Sequence, residues 1–426
     1  LNVFLDTVGC RLNQSEIEAF ARQFRLAGHR LVASPGQADL AVINTCAVTA
    51  QAASDSRHKV RQAARQGAGE IVVTGCWASL EPGQAAGLPG VSRVVSNAEK
   101  DRLVPGLLQL PPEAFDLEPL EREPVPGARL RTRAFIKVQD GCNNRCTFCV
   151  TTIARGPGRS RPAPQVLAEI RAARLGGAQE VILSGVHLGS WGGDLDPPTG
   201  LGSLVQAVLA ESDLPRLRLS SLEPWDLDEA FFELWQEPRL CRHLHLPLQS
   251  GCDATLRRMA RRTSRRSFAR LVEAARRRCP EIAITTDLIV GFPGESEAEF
   301  AESLAFVEQM DFAGGHVFAY SPRPGTAAAR MGEQVPTGVR KQRSAILRQA
   351  LAAAAGRYRR RFVGRTLGVL WESASGLGPA GWTLTGLTDN YLRVSALAPE
   401  PRWNQITPVR LTAVSPAGLD GAIQTE

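Results

Sequence analysis

Short apolar runs alternate with stretches of helical period through the first hundred residues. Asn2–Val8 reads as a buried strand, Ser15–Leu26 as an amphipathic helix and Ala38–Ile43 as a second strand. A helix over Thr49–Arg65 and a third strand over Glu70–Thr74 complete a βαβαβ pattern, which predicts a parallel sheet with helices on its faces. The Pro-rich, acidic stretch Pro111–Pro126 reads as a linker. Beyond it, strand candidates recur at Ala134–Gln139, Glu180–Ser184, Arg216–Ser220, His243–Leu248, Ile282–Ile289 and Gly315–Tyr320. Helical stretches separate them, among them Pro164–Leu175, Leu201–Glu211, Leu227–Gln236 and Glu297–Met310. Such βα repetition predicts a barrel, complete or partial, with its active site at the strand C-termini. From about Arg361 the strands shorten to Thr366–Glu372, Trp382–Thr388, Tyr391–Val394 and Thr407–Val414, with Gly, Pro and Asn between them, as a small β-barrel requires. The expected organisation is an α/β protein with a parallel-sheet domain over 1–110, a partial (β/α) barrel over 128–360 and a small β-barrel over 361–426.

Composition changes this picture little. Apolar residues make up 43% and charged residues 22%, as in globular proteins with real cores. No apolar stretch is long enough for a membrane span, and Asp6 inside the first apolar run argues against a signal peptide, so a cytoplasmic enzyme is expected. The net charge of +7 is concentrated: Arg257, Arg258, Arg261, Arg262, Arg265, Arg266, Arg270, Arg276, Arg277 and Arg278 fall in one short stretch. A solvated helix face accounts for part of that run; an excess without matching acids nearby fits a phosphate-facing surface. Trp371, Trp382, Tyr391 and Trp403 in the last domain either stack on bases or fill a small core.

The nine cysteines carry the chemistry. With no secretory signal, a disulfide framework is not expected. Cys10, Cys46 and Cys76 each follow a predicted strand, about one βα repeat apart. Right-handed crossovers bring the C-terminal ends of parallel strands to one edge, so the three thiols converge where open α/β sheets bind ligands. Three buried structural thiols would be the bland alternative. Zinc would want a fourth protein ligand, whereas three thiolates with an open position suit a 4Fe–4S cluster. In the second domain the first strand leads into G-C-N-N-R-C-T-F-C, with thiols at Cys142, Cys146 and Cys149. Three close thiolates on one loop can hold three corners of a cubane and leave the fourth iron free, while a zinc knuckle lacks its fourth ligand. His243 and His245 alternate with leucines and face the barrel interior together, as hydrogen-bonding or packing groups; Cys241, Cys252 and Cys279 follow no pattern and read as ordinary thiols.

The Cys142-x3-Cys146-x2-Cys149 spacing resembles that of the radical S-adenosylmethionine superfamily. The resemblance implies that S-adenosylmethionine chelates the free iron and is cleaved there to a 5′-deoxyadenosyl radical. Phe148 then sits where the superfamily has an aromatic near the adenine. Ser184 and Gly185 end the second barrel strand, Ser220 and Glu223 follow the third and Gln249 the fourth, and all are candidate contacts to the cofactor.

Over essentially its whole length the chain resembles the radical methylthiotransferases, with an N-terminal three-cysteine domain, a radical barrel and a C-terminal TRAM domain. It is most similar to the branch that acts on threonylcarbamoyladenosine in tRNA. The segments that carry the likeness are G-C-R-L-N-Q at Gly9–Gln14, N-T-C-A-V-T at Asn44–Thr49, G-C-N-N-R-C-T-F-C at Gly141–Cys149 and A-R-G at Ala154–Gly156. H-L-H-L-P-L-Q-S-G at His243–Gly251 and D-L-I-V-G-F-P-G-E at Asp287–Glu295 extend it. Arg11-Leu12-Asn13 favours the threonylcarbamoyl branch over the isopentenyladenosine and ribosomal-protein branches, while Thr152 stands where a Pro is common. The likeness implies that Cys142, Cys146 and Cys149 hold the cluster that cleaves S-adenosylmethionine, and that Cys10, Cys46 and Cys76 hold an auxiliary 4Fe–4S cluster carrying sulfur. It also implies a tRNA substrate, methylthiolated at C2 of the modified adenine on the 3′ side of the anticodon, with electron and sulfur donors left unidentified. An aromatic C–H offers no acidic proton to a general base, which is why such a position demands a radical.

Overall fold

The computed structural model describes residues 1–115, 132–378 and 381–424, so most of the expected linker Pro111–Pro126 lies outside the described residues. In the first domain β1 (Asn2–Thr7), β2 (Arg30–Leu31), β3 (Leu40–Thr45), β4 (Glu70–Gly75) and β5 (Val91–Val95) form one parallel sheet in the order β2-β1-β3-β4-β5. The apolar runs are continuous because both faces are covered. Val3, Leu5, Val42 and Val72 pack on Ile17, Phe20 and Phe24 of the helix Arg11–Leu26. Ala41, Ile43, Ile71 and Val73 pack on the other side against Val60, Ala63 and Trp77. Thr49 caps the helix Ala50–Arg65 by accepting from the Ala52 amide at 3.0 Å.

The second domain opens with β6 (Arg133–Lys137). A short antiparallel ribbon of β7 (Gln139–Asp140) and β8 (Arg159–Ser160) then clasps the cysteine loop between them. It continues through β9 (Glu180–Ser184), β10 (Arg216–Leu219), β11 (His243–His245), β12 (Ala283–Val290) and β13 (Gly314–Ala319). Parallel pairing gives β6-β9-β10 and β11-β12-β13, and the bridges Leu217–Leu240 and Ser221–His245 join the two into a six-stranded arc, an open barrel. Val181, Leu183, Leu217, Leu219, Leu244, Ile284 and Leu288 belong to the main core with the surrounding helices. The alternate positions Glu180, Arg218, His243, His245, Thr285 and Asp287 line the inside of the arc. The β11 ladder is shorter than the predicted His243–Leu248, because Pro247 cannot donate to it. The expected helix over Leu227–Gln236 is a 3-10 turn over Ala230–Gln236, whose three-residue repeat brings Phe232 beside Trp235.

The helix Arg11–Leu26 lies along the β6 edge of the arc. The Lys137 amide donates to Ser15 Oγ at 3.0 Å, and Arg22 pairs with Glu169 of the helix Ala163–Leu175. Burial alone would raise the Glu169 carboxyl, but Arg161 and Arg22 outweigh it and hold it down to about 2. Because the folded value lies below the ordinary 4.5, this pairing stabilises fully above about pH 4.5 and is lost as the pH falls toward 2. Thermal unfolding of Glu169→Gln against the parent apoprotein should therefore differ at pH 6 and converge as the pH drops through that window.

The long helix Thr337–Arg360 leads into the third domain, where β14 (Thr366–Gly378), β15 (Gly381–Thr388), β16 (Arg393–Ala398), β17 (Ile406–Ser415) and β18 (Gly418–Ile423) close a barrel in the order β14-β15-β16-β18-β17. The sequence pattern missed β18, a Gly-interrupted strand without strong alternation, yet it completes the closure. Trp371 is fully buried in this core and donates to Thr407, so it offers no free face to a base, while Trp382 packs partly buried against the same core. Tyr391 faces inward at a domain boundary, and only Trp403 of the four aromatics considered is exposed, at 39%. This small barrel docks against the N-terminal ends of β10 and β11. Arg216 donates to the carbonyls of Leu387 and Gly368, and Arg242 pairs with Asp389. Arg218, fully buried, forks onto Glu180 and also reaches the carbonyls of Thr388 and Asp389. Tyr391 stacks flat on His243, with ring centroids 4.1 Å apart.

Candidate active site at the facing strand ends

Cys10, Cys46 and Cys76 stand just past β1, β3 and β4, on one edge of the first sheet. Their closeness is built into the backbone. Gly9 has φ +116°, and a Cβ there would lie 2.8 Å from Cys46 Sγ, so only glycine lets the Cys10 turn approach the second thiol. Gly75, at φ +100°, likewise abuts the Thr45 carbonyl. Asn13 donates to the carbonyls of Val8 and Thr45 and thereby ties the first two cysteine turns together. Asn97 Nδ2 lies 3.7 Å from Cys76 Sγ. Cys10 is exposed while Cys46 and Cys76 are buried; burial pushes the Cys46 thiol up to about 11, so a metal must displace a proton there.

Cys142, Cys146 and Cys149 occupy the loop at the C-terminal end of β6 and β7. Gly141 (φ +71°) turns the chain so tightly that a Cβ would meet the Pro157 carbonyl at 1.9 Å. The Asn144 amide lies 3.4 Å from Cys142 Sγ and Arg261 Nη1 lies 3.8 Å from Cys146 Sγ, donors of the kind that stabilise thiolate sulfur. Burial raises the Cys146 thiol to about 11, although Arg261 opposes the shift. Among the described residues no three His, Cys, Asp or Glu groups gather tightly enough to hold a single metal ion. Two sets of three thiols, each with nearby N–H donors and neither completed by a fourth protein ligand among the described residues, fit the wider reach of a cubane better than one zinc.

The structure brings the other expected residues to the same rim. Phe148 sits edge-on to Phe292, in a small cluster with Tyr320 and Met259. Ser184 and Gly185 end β9, and Gly185 nestles against Gln139. Ser220 follows β10 with its buried hydroxyl unpartnered among the described residues. Glu223 accepts from Arg261 at 2.7 Å. Gln249 holds φ +71° at the end of the β11 segment, a left-handed conformation rare for a side-chain-bearing residue. His243 and His245 both hydrogen-bond Thr285 Oγ1 at 2.9 Å, and His245 continues to Asp287 and His316. Burial pushes the His243 imidazole well below its usual range.

Sequence reasoning missed several members of this site. Arg261, counted there among surface arginines, is buried over the Trp225 ring at 4.5 Å, with Trp225 Nε1 left unpartnered among the described residues. His187 pairs with Asp226 at 2.6 Å and contacts Asn144. Several other members of the arginine run find acids, most of them supplied by other elements. Arg258 pairs with Glu299, Arg265 with Glu302, Arg277 with Glu229 and Glu273, and Arg278 with Glu233, while Arg276 donates to the carbonyls of Met310 and Asp311. Arg257, Arg262, Arg266 and Arg270 remain exposed.

Residues 136–307 match the Radical SAM superfamily and residues 2–96 match the uncharacterized protein family UPF0004. Among solved structures, the radical S-adenosylmethionine methyltransferase TsrM from Kitasatospora setae superposes with a TM-score of 0.57 at 16% identity, covering 74% of this chain and 72% of that one. That likeness concerns the fold. Fold and sequence together define a radical S-adenosylmethionine enzyme with an added three-cysteine domain. A threonylcarbamoyladenosine tRNA methylthiotransferase from Chlamydia pneumoniae is 37% identical, covering 98% of this chain and 96% of its own. A tRNA-2-methylthio-N(6)-dimethylallyladenosine synthase from Maricaulis maris is 32% identical over 99% of this chain and 97% of its own. The chain belongs to the threonylcarbamoyladenosine tRNA methylthiotransferase family. Its cofactors are those of the superfamily, a 4Fe–4S cluster and S-adenosylmethionine, with the additional cluster of this family. No helix among the described residues is long and apolar enough to cross a membrane.

Proposed function

We propose that the protein adds a methylthio group to C2 of N6-threonylcarbamoyladenosine in tRNA, with each three-cysteine set holding one 4Fe–4S cluster. The observation that carries this reading is the presence of two separate thiol triads, each at the C-terminal ends of parallel strands and joined through buried contacts. When bound, S-adenosylmethionine and the two clusters supply the radical and the sulfur that replace an aromatic hydrogen.

The chain's own residues bind and orient. Cys142, Cys146 and Cys149 would hold the cluster at the barrel rim, where it would supply the cleavage of S-adenosylmethionine. Cys10, Cys46 and Cys76 bind the second cluster. Ser220 and Trp225, each with a polar atom unsatisfied among the described residues, have hydrogen-bonding capacity for a ligand at the rim. Arg261 holds Glu223 beside the Cys146 edge of the rim, and Gln249, in a left-handed backbone conformation, stands at the next strand end. The half-buried Phe148 offers an apolar face for an adenine ring, backed edge-on by the fully buried Phe292. The exposed Arg257, Arg262, Arg266 and Arg270, with Trp403 on the C-terminal barrel, provide phosphate and base contacts suited to folded RNA.

The test is nucleoside mass spectrometry of tRNA treated anaerobically with reconstituted protein, S-adenosylmethionine, sulfide and a reductant. A methylthio mass gain on the threonylcarbamoyl nucleoside alone is expected. Gain on the isopentenyl nucleoside alone would move the protein to the neighbouring branch. With 5′-deoxyadenosine formed and neither nucleoside modified, tRNA would be the wrong substrate.

A further inference from the structure

Three consecutive residues, Ala154, Arg155 and Gly156, touch both cysteine sets. The Gly156 carbonyl accepts from the Cys142 amide at 3.0 Å. The Ala154 carbonyl accepts from Asn97 Nδ2 at 2.8 Å, and that same nitrogen lies 3.7 Å from Cys76 Sγ. Between them Arg155, its side chain 1% exposed, donates to Glu16 at 2.9 Å, to Asp140 at 2.8 Å and to Asn13 at 2.8 Å. Asn13 Oδ1 also lies 3.8 Å from Cys10 Sγ, and its amide nitrogen holds the Thr45 carbonyl just before Cys46. Asp140 accepts from the Gly141 amide at 2.8 Å, immediately ahead of Cys142. Lys100 braces Glu16 from the far side at 2.7 Å and reaches Asn44, two residues before Cys46.

We propose that Arg155 is a positioning residue that fixes the separation and mutual orientation of the two three-cysteine sites. The proposal rests on the two-cluster reading given above. A guanidinium is a rigid planar fork, so partners from both domains around one such group define angles as well as distance. A lysine keeps the charge and loses the fork. Transfer between two sites tolerates little misplacement, since an error of about 1 Å can cost about a hundredfold. A buried ionic cluster that adds little net stability while fixing one geometry is also a known use of such groups.

The experiment compares reconstituted parent protein with Arg155→Lys, Arg155→Met and Asn13→Ala, which removes one of the three contacts together with the Asn13 bonds to the Val8 and Thr45 carbonyls. Iron per chain is measured first, then the distance distribution between the two reduced clusters by pulsed electron paramagnetic resonance. The third readout is the ratio of 5′-deoxyadenosine to methylthiolated nucleoside. Both Arg155 variants, where they fold, should bind as much iron as the parent, and all three variants should show a broadened distance distribution. The ratio should rise by about tenfold or more in Arg155→Lys and less in Asn13→Ala. An unchanged distribution and ratio in Arg155→Lys overturns the positioning role, as does loss of iron in all three variants, which would make the network a folding element only. A parent protein that loads a single cluster overturns the two-cluster reading itself, and the parent sample alone reveals that.

Discussion

Replacing Cys142 with alanine is expected to abolish both 5′-deoxyadenosine formation and methylthiolation, whereas replacing Cys10 with alanine removes methylthiolation and leaves 5′-deoxyadenosine formation in place. The two outcomes differ because the thiols sit on separate folding units. Cys142 belongs to the loop clasped by β7 and β8, while Cys10 ends β1 of a sheet with its own apolar cores. Cys10 is exposed, so its loss opens no cavity in either core. Each variant should retain about half of the parent's iron. Chromatographic quantification of 5′-deoxyadenosine and of modified nucleoside on the same reaction, beside an iron assay, checks all three statements. Methylthiolated product from Cys10→Ala would contradict the assignment of that triad.

Arg218→Ala should be the most destabilising substitution outside the cysteine sites. Arg218 has no exposed side-chain surface and forks onto Glu180, which is equally buried, while its remaining N–H groups hold two carbonyls of the C-terminal barrel. Burial would raise the Glu180 carboxyl, and Arg218 is the chief group that keeps it low. Without that guanidinium, a fully buried carboxylate in the barrel interior loses its chief partner. Removing one partner of such a pair costs about 3–5 kcal/mol. The expected result is a lowered thermal midpoint and early proteolytic release of the C-terminal barrel, because the same side chain serves both contacts. Arg218→Ala unfolding with the parent's midpoint would show that the pair contributes little. Asp389→Asn, which touches only the docking contact with Arg242, should release the barrel with a smaller loss of stability.

What the sequence made legible follows from how local each signal is. Strand edges such as Glu180–Ser184 and helices such as Leu201–Glu211 and Glu297–Met310 emerge where they were read, because apolar period and flanking turns are written within a few residues. The convergence of Cys10, Cys46 and Cys76 was also legible, since parallel topology alone carries strand ends to one edge. The partners of single charges were not. Arg261 looks like any other member of an arginine run until Glu223 and Pro247, distant in sequence, close around it. Arg155 carried a signal, the A-R-G segment, but its partners Asn13 and Glu16 come from the other domain. Tyr391 was weighed as a base-stacking or small-core group, and its stacking on His243 depends on how two domains dock.

That docking has a consequence for how a substrate arrives. Tyr391 lies across the lower end of the open barrel, stacked on His243 and bonded through its hydroxyl to Arg11, with Arg218 beneath it. Tyr391 covers that end of the arc, so on the proposed function a purine comes to the cysteine sets from the opposite rim. On the function proposed above, a base stacked in an anticodon arm is too deep in its neighbours to do so. It must swing out of the stack, at a cost of a few kcal/mol that is smallest where the strand is already unpaired. The position flanking an anticodon is such a place. The plug at the floor and the choice of a loop nucleotide are thus two sides of one constraint on access.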